Sequence, residues 1–252
     1  MTDAAPLLRT EALTKSFSGF VAVQGINLDI KAGTIHALIG PNGAGKTTFF
    51  NLLTRFLPAT SGRIFYKGQD ITETRPHDIA RLGIVRSFQI SAVFPHMTVL
   101  ENVRIALQRF RSDNFAFWKS DRVLGEMDDK ARGILAEVGL EALAGAVAAD
   151  LSYGRKRALE LATTLALEPE LLLLDEPTSG MAHEDISRTV ELIRRVAKNR
   201  TVLMVEHNLS VVADLSHRIT VMQRGEILAD GSYAEVSKNP AVIEAYMGTG
   251  HV

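Results

Sequence analysis

The sequence predicts an α/β fold with a mainly parallel central sheet, and three observations support this. A glycine-rich segment, GPNGAGKT at residues 40–47, stands between a short apolar strand and a segment with helical apolar spacing. An unbroken apolar run at residues 171–174 ends in two acids, which is typical of a strand covered on both faces. Residues 91–149 have helical patterns, so we expect them to form a helical subdomain inserted into a core made of residues 1–90 and 150–252.

The glycine-rich segment matches the pattern G-x-x-x-x-G-K-[ST] of a phosphate-binding loop. We expect nucleotide contacts from Gly40, Pro41, Asn42, Gly43, Ala44, Gly45, Lys46, Thr47 and Thr48. The glycines let backbone N–H groups approach phosphate oxygens. Lys46 supplies a positive charge for the β- and γ-phosphates, and the Thr47 hydroxyl is a hard oxygen ligand for Mg²⁺. A helix predicted at residues 46–57 would place the phosphates at its N-terminus.

Composition excludes several classes of protein. The chain has 252 residues, of which 46% are hydrophobic and 23% charged, as in ordinary globular proteins. It has no cysteine, so disulfides and thiolate metal sites are impossible. No apolar run approaches the ~20 residues of a membrane span, and the N-terminus does not look like a signal peptide, so we expect a cytosolic chain. The net charge of -1 argues against a nucleic-acid partner.

The first third of the chain is predicted to be mostly β-structure. Two strands at residues 7–17 and 21–30 are joined by a turn at Ser18-Gly19. Phe17, just before that turn, is either a core aromatic or an exposed stacking platform, and the residue type alone favours the core. A strand at residues 62–68 follows, then a short helix that begins at Pro76 and a strand that ends at Gln89.

The middle segment is predicted to be helical at residues 98–110 and 127–138. Thr98 and Glu101 have the spacing of a capping box at the first of these helices. Between the helices, residues 112–121 contain Phe115, Phe117 and Trp118. These aromatics indicate either a packed loop or a surface that faces a partner, and the packed loop is favoured.

The last third of the chain carries the candidate chemistry. Residues 151–155 open a helix, where Ser152 by itself looks like an N-cap. The strand at residues 171–174 delivers Asp175 and Glu176 to the carboxyl edge of the sheet, where ligands of α/β folds bind. There Asp175 would hold the Mg²⁺ shell and Glu176 would accept a proton from water, although acids before a turn can also be merely solvated.

Three further elements complete the predicted fold. The strand at residues 201–205 ends at Glu206-His207, and we expect this end to lie beside the phosphate loop and the two acids. A closing hairpin about Gly225 and a final helix at residues 240–247 follow.

The motif order resembles the ATP-binding subunit of an ABC transporter over essentially the whole chain. The segments that carry the resemblance are the phosphate loop, Gln89, LSYGR at residues 151–155, LLLLDE at 171–176 and EH at 206–207. The resemblance implies a P-loop ATPase cassette with an N-terminal antiparallel β subdomain, the cofactors ATP and Mg²⁺, and ATP hydrolysis by Lys46, Gln89, Glu176 and His207.

The resemblance also assigns roles that the residues alone do not. Phe17 would stack on adenine, contrary to the core interpretation. Gln89 would bind Mg²⁺ together with Thr47 and Asp175, sense the attacking water and contact a membrane subunit. His207 would hold the γ-phosphate. By the same resemblance, Ser152 and Gly154 would contact the γ-phosphate of ATP bound to the opposite subunit of a head-to-tail dimer.

Shorter segments are similar to the branched-chain amino acid importer branch, of the LivG type. They are RALE at residues 157–160, RSFQ at 86–89, FPHMTV at 94–99 and EAYMG at 244–248. One position departs from the family pattern Ser-Ala-Leu-Asp, because Ala182 stands where the acid is usual. Importers of this branch commonly pair two different ATPase subunits, so we expect a heterodimer, with a homodimer as the alternative.

Three function classes stay open at this stage. The first is an importer motor at the cytoplasmic face of the plasma membrane, working with two permease subunits and, indirectly, a periplasmic or extracellular solute-binding protein. The second is an exporter or regulatory subunit, such as the ATPase of a lipopolysaccharide-type exporter. The third is a soluble ABC ATPase that acts outside transport, for which a second cassette or a long coiled-coil insert would be usual.

Overall fold

The structure, a computed structural model, describes residues 5–87, 93–108 and 121–247. Gln89 and the aromatics Phe115, Phe117 and Trp118 lie outside the described residues. Two compact units divide the chain, the first made of Met1–Arg86, Glu170–Pro177 and Asn199–Val252. The second is made of Ser87–Pro169 and Thr178–Lys198. The subdomain boundaries at residues 91 and 149 stay a prediction.

The elements are numbered in chain order within the described residues. The strands are β1 (Leu8–Phe17), β2 (Phe20–Ile30), β3 (Ile35–Ile39), β4 (Ser61–Tyr66), β5 (Gln69–Asp70), β6 (Ile84–Ser87), β7 (Leu171–Asp175), β8 (Thr201–Val205), β9 (Arg218–Gln223) and β10 (Glu226–Gly231). The helices are α1 (Lys46–Leu53), α2 (Pro76–Arg81), α3 (Val99–Gln108), α4 (Asp121–Glu137), α5 (Tyr153–Leu165), α6 (His183–Val196), α7 (Leu209–Leu215), α8 (Tyr233–Val236) and α9 (Pro240–Met247). None of these helices is both long and apolar enough to cross a bilayer.

The central sheet of the first unit has the strand order β10-β9-β3-β8-β7-β6. β3 pairs in parallel with β8 and β9, and β7 pairs in parallel with β8. Every residue of β3 and β8 is buried, as are the four leucines of β7. Strands covered on both faces need apolar residues at every position. This is why apolar and polar residues do not alternate at residues 171–174. The predicted α/β fold with a mainly parallel sheet is confirmed.

The second sheet is antiparallel and has the order β2-β1-β4-β5. β1 pairs with β2 and with β4, and its register with β2 brings Phe17 opposite Phe20. Phe49 and Phe50 of α1 are fully buried in one apolar cluster with side chains from both sheets. The predicted N-terminal β subdomain is therefore present. The buried rings of Phe49 and Phe50 fix α1 against both sheets, at the end of the loop that follows β3.

The second unit is helical and consists of α3, α4, α5 and α6 with short 3₁₀ turns. The predicted capping box at the start of α3 is present. The carboxylate of Glu101 accepts from the Thr98 backbone N–H at 2.7 Å, and the Thr98 hydroxyl accepts from the Glu101 N–H at 3.2 Å. Because both orphan donors find acceptors, α3 begins at a defined residue.

Several local predictions differ from the structure. α1 ends at Leu53 rather than at residue 57, since Arg55 adopts a left-handed conformation with φ 59°. The sequence analysis predicts no helix for α6, α7 or α8. A signal was available for α8, whose Ser232 and Glu235 form a capping box. For α6 the signal was apolar spacing, with Val190 and Ile193 buried.

β3 also carries a buried polar side chain, His36, which is 1% exposed. Its Nε2 lies 2.7 Å from the Thr220 hydroxyl, which in turn donates to Asp230 at 3.0 Å. Burial lowers the pKa of His36 to about 4, the Asp230 carboxylate acts in the opposite direction, and Arg218 lowers the pKa further. The imidazole is therefore neutral in the folded protein at neutral pH.

We predict that acid destabilises the fold through His36. The unfolded chain gains this proton near pH 6.5 and the folded chain only near pH 4, so stability is fully present above about 6.5 and falls as the pH falls towards about 4. Between these two pH values the free energy of unfolding should fall by up to about 1.4 kcal/mol per pH unit. Chemical denaturation of wild type and His36→Gln at several pH values should show a difference that shrinks as the pH falls. A constant difference would contradict the prediction, because carboxylate titration is common to both proteins.

Candidate active site

The phosphate-loop segment connects β3 to α1 and depends on two of its glycines. Gly40 has φ 149°, and a Cβ there would lie 2.1 Å from the Met222 carbonyl oxygen. Gly45 has φ 99°, and a Cβ there would lie 2.4 Å from the Ala22 carbonyl oxygen. The loop therefore runs against backbone on both sides, and only glycine fits. The first turn of α1 follows directly after this loop, and the N-terminus of a helix favours anions.

Lys46 is 9% exposed and is held by its own loop. Its Nζ donates to the carbonyl oxygen of Gly40 at 2.7 Å and to that of Pro41 at 3.0 Å. Burial lowers the pKa of Lys46, while the negative charges of Glu176 and Asp175 raise it. The two predicted acids are thus close enough to act on the lysine charge, which places loop and acids in one site of the first unit.

Asp175 is the last residue of β7 and its side chain is 7% exposed. It forms an ion pair and hydrogen bond with Arg86 of β6, whose guanidinium also donates to the Asn51 side chain of α1 at 2.6 Å. The sequence analysis missed Arg86 and Asn51 as parts of the site. An arginine at the end of a buried strand was the available signal, because a buried charge requires a partner.

Glu176 follows β7 and has φ 46°, a left-handed conformation that is uncommon for a residue with a side chain. Its backbone N–H donates to the Val205 carbonyl oxygen at 2.9 Å, so the residue is tied to the end of β8. Strained backbone of this kind concentrates at active sites, where surrounding structure holds it in place. The predicted general base therefore lies in a turn after β7 that is hydrogen-bonded to the end of β8.

His207 follows β8 and its side chain is 62% exposed. The preceding Glu206 is fully buried, and its carboxylate accepts from the backbone N–H of His207 at 2.9 Å and of Asn208 at 3.1 Å. The Asn208 side chain in turn caps α7 by accepting from Ser210 and Val211. The sequence analysis named Glu206 only as a strand end, whereas its carboxylate organises the turn that presents His207.

The resemblance implies that Mg²⁺ binds at this site. The side-chain oxygens near the loop determine whether the site suits that ion. The described residues contain no cluster of three or more His, Cys, Asp or Glu side chains that could hold a metal ion. Mg²⁺ does not need such a cluster, because it commonly takes one or two protein oxygens, substrate phosphates and water. A Thr47 hydroxyl at the start of α1 and the Asp175 carboxylate fit that pattern.

Phe17 is 41% exposed, so the core interpretation is wrong. The Lys15 ammonium lies 5.0 Å from the centre of its ring, and the ring of its cross-strand neighbour Phe20 is 66% exposed. Among the described residues, no other element packs over these two rings at the tip of the hairpin closely enough to bury them, and residue type alone does not reveal this. Stacking on adenine stays a prediction.

The LSYGR segment lies in the second unit, at the start of α5. Ser152 occupies the N-cap position and is exposed, but its side chain makes no capping hydrogen bond. The Tyr153 hydroxyl donates to the Ser179 carbonyl oxygen at 3.2 Å, and Arg157 donates to the Tyr153 hydroxyl at 3.3 Å and to Glu160 at 2.8 Å. This network joins the LSYGR segment to residues 179–182. The expected γ-phosphate contacts of Ser152 and Gly154 stay predictions.

Ala182 is the N-cap residue of α6, with φ −68° and ψ 155°, and is exposed. Alanine has no oxygen for the orphan N–H groups of the first turn, where aspartate is a preferred cap. Relative to the acid that the resemblance leads us to expect here, Ala182 lacks both a helix cap and a charge.

The chain matches two family models. The model described as ABC transporter matches residues 23–179, and the one described as branched-chain amino acid ATP-binding cassette transporter matches residues 226–252.

Relatives align along nearly the whole chain. The high-affinity branched-chain amino acid transport ATP-binding protein BraF of Pseudomonas aeruginosa is 39% identical over 253 residues, covering 96% of this chain and 98% of that protein. The corresponding protein LivG of Escherichia coli is 39% identical over 250 residues, with the same coverage.

Solved structures give the same result. A nucleotide-free ATP-binding cassette from an ABC transporter superposes with a TM-score of 0.83 and 33% identity, covering 95% of this chain and 98% of that chain. Another such cassette in its ADP conformation superposes with a TM-score of 0.83 and 32% identity, covering 96% and 98%. The chain therefore belongs to the ABC transporter family, as an ATP-binding subunit of the branched-chain amino acid branch, and it is an ATPase.

Proposed function

We propose that the chain is the ATP-hydrolysing motor of an ABC importer for branched-chain amino acids or related small polar solutes. The observation that carries the ATPase part is the single site that contains the phosphate loop, Lys46, Asp175 and Glu176. The import part is supported by relatives that are 39% identical over 96% of the chain and named for branched-chain amino acid transport.

The site residues have complementary roles in this proposal. The loop N–H groups and Lys46 bind the β- and γ-phosphates, and Phe17 stacks on the adenine. Thr47, Asp175 and Gln89 would hold Mg²⁺, which would neutralise charge on the phosphates. Glu176 takes a proton from the attacking water, because its turn places a carboxylate beside the lysine that binds phosphate. His207, presented by the buried Glu206, contacts the γ-phosphate.

The alternatives are less well supported. A lipopolysaccharide-type exporter ATPase would share the loop and the acids, but the matched C-terminal family model, at residues 226–252, is that of the branched-chain amino acid branch. A soluble ABC ATPase that acts outside transport finds no support in the same match.

The proposed assembly contains a second ATP-binding subunit and two membrane permeases, and it receives solute from a periplasmic or extracellular binding protein. The chain would then lie at the cytoplasmic face of the membrane. Phe94 and Met97, which are 51% and 37% exposed, offer apolar side chains for a short permease helix. Ala182 supports pairing with a different subunit that retains the acid.

We predict that Glu176→Gln binds ATP but hydrolyses it roughly a hundredfold or more slowly, the usual reach of general-base catalysis. Lys46→Ala should instead weaken ATP binding, since the loop loses its positive charge. Phosphate release and nucleotide titration separate the two effects. Glu226→Gln, an exposed change in β10, is the matched control and should behave as wild type. Near-normal turnover in Glu176→Gln would refute its role.

We predict that Phe17→Ala weakens ATP binding by roughly 1–3 kcal/mol, the range for stacking of a base on an aromatic ring. Its melting temperature should change little, because the ring is 41% exposed. Phe20→Ala, which removes the more exposed ring of the same hairpin, is the control and should leave affinity unchanged. If Phe20→Ala weakens binding and Phe17→Ala does not, the stacking residue has been misassigned.

We predict that the chain alone dimerises weakly, because two copies lack the acid at position 182. Light scattering of Glu176→Gln with excess ATP and Mg²⁺ should show mostly monomer. Adding Ala182→Asp should increase the dimer and also stabilise α6 by about 0.5–2 kcal/mol as an N-cap.

Ala182→Ser separates these two effects, because serine caps the helix without adding charge. It should raise the melting temperature but leave the protein monomeric. A tight dimer of Glu176→Gln with Ala182 intact would exclude the idea. Equal dimerisation of the serine and aspartate variants would assign the effect to capping alone.

A further inference from the structure

The turn between β9 and β10 lies against the phosphate loop. β9 pairs in parallel with β3, so the carboxyl ends of both strands lie at one edge of the sheet. The loop follows the last residue of β3, and Arg224-Gly225 follows the last residue of β9. The Gly225 backbone N–H donates to the Ala44 carbonyl oxygen of the loop at 3.0 Å. The turn is therefore bonded to the segment proposed to bind phosphates.

The same turn also contacts β2. The Gln24 backbone N–H donates to the Gly225 carbonyl oxygen at 2.8 Å, and a Cβ on Gly225 would lie 2.9 Å from the Ala22 carbonyl oxygen. β2 belongs to the hairpin that carries Phe17, the predicted adenine platform. The turn thus bridges the hairpin proposed for the adenine and the loop proposed for the β- and γ-phosphates.

The backbone of the turn is well defined. Arg224 has φ 50° and Gly225 has φ 83°, as in a two-residue type I′ turn. Gln223 pairs with Glu226 across it. Because both backbone groups of Gly225 are hydrogen-bonded, one to the loop and one to β2, the turn has a fixed position relative to both. The backbone from which the Arg224 side chain starts is fixed with it.

Arg224 brings a positive charge to this position. Its α-carbon lies at most about 5.5 Å from the Ala44 carbonyl oxygen, since only two bonds separate it from the Gly225 nitrogen. The residue is exposed, and its guanidinium forms no hydrogen bond, ion pair or ring contact within the part of the chain that the structure describes. A guanidinium matches the geometry of a phosphate group and binds it through parallel hydrogen bonds.

A second turn of the same geometry provides a comparison. Lys67-Gly68 joins β4 to β5 with φ 51° and 77°, so Lys67 occupies the position that corresponds to Arg224. The Lys67 ammonium is paired with the Glu170 carboxylate. Both turns present a cation from the same position, but among the described residues Arg224 has no acid that corresponds to Glu170. At Arg224 the position of that partner is open to an anionic ligand.

We infer that Arg224 is a further nucleotide-binding residue, whose guanidinium contacts the phosphate chain of ATP at the α-phosphate. This inference rests on the proposed ATPase function. Lys46 acts at the β- and γ-phosphates, whereas Arg224 approaches the nucleotide from a turn that also contacts β2. Because ATP and ADP both contain the α-phosphate, Arg224 contributes equally to the binding of both.

The test compares three variants of the full chain by equilibrium binding of ATP and of ADP. Arg224→Gln should raise both Kd values roughly three- to tenfold, the effect of losing one charged hydrogen-bonded contact at an exposed site. Arg224→Lys, which retains the charge, should restore part of that loss. Lys67→Gln is the matched control, because it removes one positive charge from the same position of a similar turn. It should bind both nucleotides as wild type does.

The salt dependence of binding is a second measurement that does not depend on turnover. The wild-type Kd should rise with KCl, because ions screen exposed charges, and the rise should be smaller in Arg224→Gln. Unchanged Kd values in Arg224→Gln, or an equal loss in Lys67→Gln, would overturn the inference and leave the ATPase proposal intact. A loss for ATP without one for ADP would also contradict it, since the contact would then be at the γ-phosphate. Wild-type protein that binds neither nucleotide would overturn the proposed function and this inference with it.

Discussion

The active site depends on the mutual compensation of buried charges. Lys46 is 9% exposed, and the side chains of Arg86 and Asp175 are 9% and 7% exposed. The two cations are balanced by Asp175 and Glu176, since removing an ion from water costs several kcal/mol unless a partner of opposite charge is near. These charges belong to the start of α1 and the ends of β6 and β7. The relative positions of those elements are therefore set by electrostatics as well as by apolar packing.

A second constraint acts on the backbone of the loop. Gly40 and Gly45 both run against carbonyl oxygens of neighbouring strands, which leaves no space for a Cβ. Glu176 is held in a left-handed conformation by a hydrogen bond to β8. Such geometry persists because surrounding elements over-determine it. Gly40, Gly45 and Glu176 therefore have restricted backbones, whereas the side chains of His207 and Phe17 are exposed.

Motifs with fixed spacing predicted which side chains lie near one another. The glycine-rich pattern and the apolar run that ends in two acids predicted that Lys46, Asp175 and Glu176 lie near one another, and in the structure the charges of both acids act on Lys46. For Phe17, residue type alone favoured the core, and its 41% exposure contradicts that interpretation, because exposure depends on what covers the hairpin. α6 was missed because its N-cap, Ala182, carries no capping signal.

The sequence by itself determined the fold class, most of the strands and the glycine-rich loop between β3 and α1, because these follow from local periodicity and residue spacing. Only the tertiary structure decided which distant groups complete the site. Arg86 meets Asp175 across 89 positions of sequence, and its guanidinium also donates to Asn51 of α1 across 35 positions. Such pairings depend on how strands and helices pack, and no local pattern records them.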